Sequence, residues 1–229
     1  MDRIVRTPDG RVLAVEDAGD PAGSPVLVHN GTPMSRHLYG PNVADAAERG
    51  LRLISYDRPG YGGSTPQPGR AVADCAADVR AICIALEIER LAMWGLSGGG
   101  PRVLACAAML PDLVAAAAAL ASFAPYGAEG LDWFDHLQAA DAYRLVLSDP
   151  GAVRAGVDEA RKGVLAMTAS GLAEEWAPFL SPVDAAVLPG ELAEFTIGTQ
   201  HEALAAGSQG WILLTVPSAW AKSCAWAKV

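Results

Sequence analysis

Residues Gly95-Leu96-Ser97-Gly98-Gly99 constrain this chain more than any other stretch, because they follow the apolar run Leu91-Ala92-Met93-Trp94 without a linker. That run reads as a short buried strand. Residues 98–110 then carry a helical pattern, so the chain must pass from strand to helix within a few residues. A turn that sharp presses backbone against backbone, and glycines flank Ser97 because a Cβ there would clash. The turn lifts the Ser97 hydroxyl above the sheet at a helix N-terminus, where partial positive charge favours a developing anion.

The preceding residues supply the rest of a sheet. Pro8-Asp9-Gly10 is a turn signal before Arg11–Val15, so a hairpin opens the chain. Pro25-Val26-Leu27-Val28-His29 is a continuous apolar run closed by Asn30-Gly31, a strand buried on both faces. Residues 35–49 read as a helix that ends before Gly50. Leu51–Tyr56 is a second buried strand, stopped by Asp57-Arg58-Pro59-Gly60. Val72, Cys75, Val79, Ile82, Cys83 and Leu86 recur at helical spacing, and Leu113–Ala121 reads as a further core strand. Strands alternating with helices imply an α/β fold with a mostly parallel sheet and helices on both faces. Chemistry in such sheets sits at the carboxyl ends of the strands. Those ends carry His29-Asn30-Gly31-Thr32-Pro33, Asp57–Ser64 and Ser97.

The texture changes after about Ala124. Residues 129–210 show helical patterns broken by Pro150, Gly163, Gly171, Pro182 and Pro189, with no convincing strand, and read as a helical insertion over the strand ends. Its apolar residues Leu131, Trp133, Phe134 and Leu137 are expected to pack that insertion rather than face a ligand. The division is therefore 1–128 core, 129–210 helical insertion and 211–229 an atypical tail. In the tail Trp211–Val216 reads as a strand, and Ala-Trp-Ala-Lys occurs at 219–222 and again at 225–228.

Composition removes several function classes. With 51% hydrophobic and 19% charged residues, the chain can bury a sizeable core. A formal net charge of -9 leaves no basic patch for phosphates, so no nucleic-acid partner is expected. The opening residues Met1–Arg6 lack the apolar stretch of a leader, and Leu113–Ala121 is too short to span a membrane, so a cytoplasmic protein without a membrane partner is expected. Cys75, Cys83, Cys106 and Cys224 form no C-x-x-C pair and read as small buried thiols of a reducing compartment, with no metal site.

Taken together, His29–Pro33, the loop Asp57-Arg58-Pro59-Gly60-Tyr61-Gly62-Gly63-Ser64 and the Ser97 turn resemble the α/β-hydrolase superfamily in order and spacing, over roughly residues 1–127. The helical insertion resembles that family's lid more loosely. The resemblance implies that Ser97 is a nucleophile on an elbow. It implies an oxyanion hole from the backbone N–H groups of Gly98 and Thr32, with Asp57 and Arg58 locking loops nearby. His29 is expected to fix the oxyanion loop. The expected activity is that of a serine hydrolase on esters or similar small acyl substrates, with no metal or organic cofactor and a small molecule as its partner. Peptidase and haloperoxidase-like chemistry stay open. Serine rather than aspartate argues against the branches that form an alkyl-enzyme ester.

The family places its acid and its histidine late, in the order Ser, acid, His. After Glu202 this sequence has no Asp, Glu or His. The stand-ins are His136 or His201 for the base and Asp132 or Asp135 for the acid, each with a blander exposed or capping reading. The composition change near Trp211 leads to the expectation of a truncated or shifted reading frame, with the last core strands missing and self-association through an exposed sheet edge. The competing function is a non-catalytic remnant that binds a ligand without turnover.

Overall fold

A computed structural model describes residues 1–124, 129–135, 144 and 150–211. The hairpin that opens it is set by Gly10, whose φ of 85° turns β1 (Asp2–Arg6) back onto β2 (Val12–Gly19). Thr7 N–H donates to the Arg11 carbonyl at 3.0 Å, closing the turn, and Arg6 pairs with Val12. Next come β3 (Ser24–His29), α1 (Gly40–Glu48), β4 (Leu51–Tyr56), α2 (Cys75–Ala85), β5 (Leu91–Leu96), α3 (Gly100–Met109) and β6 (Val114–Leu120).

These strands form one sheet in the order β1-β2-β4-β3-β5-β6. β1, β2 and β4 run antiparallel to their neighbours in turn, while β4, β3, β5 and β6 are mutually parallel. β3 and β4 lie inside the sheet, and their carboxyl halves are buried at successive residues, as continuous apolar runs require. The core gathers Leu13, Val15, Leu27 and Ile54 from the strands with Val79, Ile82 and Val103 from α2 and α3, all fully buried. Cys75, Cys83 and Cys106 are buried free thiols within it; Cys224 lies outside the described residues.

Two expectations are corrected. The helix expected over 35–49 begins only at Gly40, with Pro41 in its first turn. Residues 35–37 are held instead by long-range polar contacts: Arg36 reaches Asp57, and His37 Nδ1 meets Glu16 at 2.8 Å. β6 is not a core strand. Its residues from Ala115 onward are exposed, because among the described residues it pairs with β5 alone.

Helices α4 (Pro150–Ala166), α5 (Ala169–Trp176), α6 (Pro182–Val187) and α7 (Glu191–Ala205) follow, and the described residues of this stretch contain no strand. Leu172, Leu188, Ala193 and Ile197 form their own small core. Ala203 and Leu204 of α7 pack on Tyr61, tying the helices to the sheet edge. Trp211 sits in a helical turn over 209–211 rather than opening a strand, and residues 212–216 of the expected strand lie outside the described residues. Among the described residues no helix is long and apolar enough to cross a membrane.

Candidate active site

The turn after β5 is as tight as its glycines suggest. Ser97 has φ 51°, a left-handed conformation that L-residues avoid. A Cβ on Gly95 would stand 2.6 Å from the Gly99 carbonyl carbon, and one on Gly99 would stand 2.0 Å from the His29 carbonyl oxygen. Only bare backbone lets β5, the start of α3 and the end of β3 meet there.

That contact brings the loop after β3 over the turn. A Cβ on Gly98 would lie 2.4 Å from Thr32 Oγ1 and 3.6 Å from Thr32 N, so Thr32 and Gly98 are in direct apposition. The loop is pinned from below by Arg58, which is 4% exposed. Its Nη2 donates to the Gly31 carbonyl at 2.8 Å and its Nη1 to the Asn30 carbonyl. The guanidinium also lies 4.9 Å over the Tyr61 ring. Asp57, fully buried, accepts from Arg36 N–H at 2.6 Å, Arg36 Nη1 at 2.9 Å and Gly63 N–H at 2.9 Å. Burial pushes its carboxyl up, and those three donors oppose the shift. Asp57 and Arg58 thus lock the two loops together, as the resemblance implies.

Ser97 opens into a cleft of about 270 Å³. Its floor is Gly31, Thr32, Pro33, Met34 and Leu96, and its roof comes from the helical segment: Val164, Met167, Leu172, Glu175, Trp176 and Gln200, with Trp211 beside them. The lining is mostly apolar with few polar groups, the usual composition of a small-molecule site. Trp133 does not line it; its ring stacks on Phe123 with centroids 5.9 Å apart, which agrees with a packing role.

A sequence model of the alpha/beta hydrolase fold matches residues 24–184, well over half the chain. The chain belongs to the α/β-hydrolase family. Similar sequences include a non-heme chloroperoxidase from Streptomyces lividans, 35% identical over 100 residues, which is 43% of this chain and 36% of that protein. The match thus spans about a third of the curated relative's length. Among solved structures, an esterase from Exiguobacterium antarcticum superposes with TM-score 0.66 at 21% identity, covering 94% of this chain and 72% of that one. Epoxide hydrolase A from Mycobacterium thermoresistibile gives TM-score 0.65 at 19% identity, covering 100% and 78%. At these identities the superpositions show the fold.

Within this α/β-hydrolase no histidine among the described residues lines the cleft. His29 is 2% exposed, with neither ring nitrogen hydrogen-bonded, and packs edge-on to Tyr56 at 5.6 Å. It does not fix the loop; Arg58 does, because a guanidinium reaches several carbonyls at once. Burial, then the charges of Arg102, Arg58 and Arg70, push His29 well below the ordinary range. His37 is bracketed by Glu16 and Glu202. His201 Nε2 meets the Val164 carbonyl at 2.8 Å. His136 lies outside the described residues. Asp132 caps a turn by accepting from Phe134 N–H at 3.1 Å, and neither Asp132 nor Asp135 lines the cleft.

The sequence reading missed Arg102, Ser122, Glu175 and Gln200. Arg102, 3% exposed, donates to the Gly98 carbonyl. Ser122 donates to the Ser97 carbonyl at 2.8 Å. The one local signal was the third consecutive glycine, Gly100, which the elbow pattern does not demand.

Proposed function

We propose that this α/β-hydrolase is a serine hydrolase of esters or similar small acyl substrates, with Ser97 as nucleophile. The backbone N–H groups of Gly98 and Thr32 form its oxyanion hole, and residues 129–210 form the lid. The observation that carries this reading is the apposition of Thr32 and Gly98 beside a strained Ser97 at the floor of an apolar cleft. Donors held at such a spot stabilise the charge that develops on a carbonyl oxygen under attack.

Among the described residues the cleft is lined by no imidazole. An oxyanion hole and binding alone still give residual catalysis, and that catalysis favours leaving groups that need no proton. Activated esters are therefore the expected substrates. The same observation favours a second reading, a cleft that binds an apolar acyl compound without turnover.

The test is labelling of folded protein by a fluorophosphonate, with Ser97→Ala as control, beside hydrolysis of 4-nitrophenyl acetate. Labelling that depends on Ser97 supports the hydrolase. A folded protein that binds the ester but is never labelled supports the second reading and sinks the first.

A further inference from the structure

The peptide unit between Ser97 and Gly98 carries the Gly98 N–H on one side and the Ser97 carbonyl on the other. Ser122 Oγ donates to that carbonyl at 2.8 Å. A peptide unit is planar, so fixing its C=O fixes the direction of its N–H. A hydrogen bond accepted by the carbonyl also polarises the unit and strengthens the N–H as a donor.

Two unusual local features bring Ser122 to this place. Ala121, just after β6, has φ 43°, a left-handed conformation that an alanine adopts only at a cost. Gly100, the first residue of α3, supplies the room. A Cβ there would stand 1.9 Å from Ser122 Oγ and 2.5 Å from Ser122 Cβ. The third glycine of Gly98-Gly99-Gly100 thus has a use outside the elbow pattern. The Gly31–Thr32 unit is treated alike: Arg58 donates to the Gly31 carbonyl at 2.8 Å, on the far side from the Thr32 N–H. Both peptide units carry a side-chain donor on the carbonyl.

We infer that Ser122 is a positioning residue of the oxyanion hole, holding the Ser97 carbonyl so that the Gly98 N–H keeps its aim and strength. This rests on the reading of Ser97 and Gly98 given above. Ser122 touches no substrate and acts through the peptide unit alone.

The sequence offers a direct readout, because Ser is followed by Gly only at 97–98 and 170–171. Protein labelled with [1-¹³C]serine and [¹⁵N]glycine gives one carbonyl-to-amide cross-peak for each pair. In Ser122→Ala the Ser97–Gly98 peak is expected to move, its carbonyl upfield, while the Ser170–Gly171 peak stays as internal reference. Removing an oxyanion donor outright costs about 10²–10³-fold, so loosening one is expected to slow fluorophosphonate labelling by about tenfold. Ser122→Thr keeps the hydroxyl and restores both readouts. Gly100→Ala reproduces the Ser122→Ala result with Ser122 intact. An unmoved Ser97–Gly98 peak in folded Ser122→Ala, or labelling at the wild-type rate, overturns the inference. So does a Ser122→Thr protein no better than Ser122→Ala. A wild type that never labels overturns the reading of Ser97 itself, which separates the two failures.

Discussion

Gly99→Ala adds one methyl group where the chain has no space for it. The new Cβ would stand 2.0 Å from the His29 carbonyl oxygen, 2.8 Å from its carbon and 3.1 Å from the Asn30 oxygen. All of these are backbone atoms, so no rotamer change relieves the contact. Ordinary non-bonded contact needs about 3.5 Å, so something must shift by about 1.5 Å. β3 cannot yield easily, because it is hydrogen-bonded to β4 on one side and β5 on the other. Overpacking costs about 1–3 kcal/mol, and a backbone clash without a flexible partner belongs at the top of that range. About 3 kcal/mol corresponds to a fall of about 6–12 °C in Tm for a chain of this size. The matched control is Gly31→Ala. There the nearest atoms are the Leu96 oxygen and Met34 Sδ, both at 3.7 Å, and Ser97 Cβ at 3.8 Å, which is ordinary contact. Its stability is expected to change by no more than about 0.5 kcal/mol. Thermal and urea unfolding of the two variants, followed by circular dichroism, tests the difference. Gly99→Ala should also label more slowly with a fluorophosphonate under conditions where it is folded, because Asn30 and Thr32 belong to one loop. If both variants unfold at the same midpoint, the account of the elbow as a backbone-to-backbone contact is refuted.

Further outcomes follow from single residues. Ser97→Ala and Ser97→Gly should both lose labelling, but Ser97→Gly should be more stable than Ser97→Ala by about 1 kcal/mol, since glycine relieves the left-handed strain; equal urea midpoints would count against strain at this turn. His37 is held above its ordinary value of 6.5, first by its hydrogen bond to Glu16 and then by the Glu202 charge, against burial and Arg36. Its pairing therefore stabilises the fold fully below pH 6.5 and is lost as pH rises through the folded-state value. The urea midpoint should fall with rising pH in the wild type more than in His37→Gln, measured between about pH 5 and about pH 8, and parallel curves would refute the linkage. Among the described residues β6 has no strand neighbour beyond β5, and we propose that this edge drives self-association at high concentration, which Ala117→Lys should suppress in light scattering. An unchanged association would move the contact elsewhere.

What the sequence made legible was local. Leu51–Tyr56 matched its strand at both ends because Gly50 and Pro59 punctuate it within a few residues. The tight turn at Ser97 was readable because a strand–turn–helix with flanking glycines admits few geometries. The start of α1 was not, since nothing in Ser35-Arg36-His37 forbids a helix, yet Arg36 and His37 turn to Asp57 and Glu16, far along the chain. β6 shows the same limit from the other side. An apolar run announces a strand, but whether that strand is covered depends on its neighbours in the sheet. Ser122 and Arg102 escaped for a related reason. A serine after a strand and an arginine in a helix are unremarkable types until the fold aims them at the carbonyls of Ser97 and Gly98.

The charges beneath the elbow decide which groups can serve it. Arg58 and Arg102 are both buried, and they aim their guanidinium groups at carbonyls of the loop after β3 and of the turn after β5. Burial pushes Arg102 down to about 9, with the charges of Arg58 and Arg70 adding to the shift. Asp78 answers Arg70 at 3.0 Å and Arg11 at 2.8 Å, so its charge is already committed. A cationic floor of this kind favours negative charge above it, which the acyl transfer proposed above would develop at a carbonyl oxygen. It equally disfavours a further positive charge, which adds to burial, the larger cause, in pushing His29 well below its ordinary range. An imidazole that acts as general base becomes positive when it takes the serine proton. His29 is therefore excluded from that role by its surroundings as well as by its burial. If Ser97 is the nucleophile proposed above, its base is expected from the cleft side, beneath α4, α5 and α7, where the described lining includes no arginine.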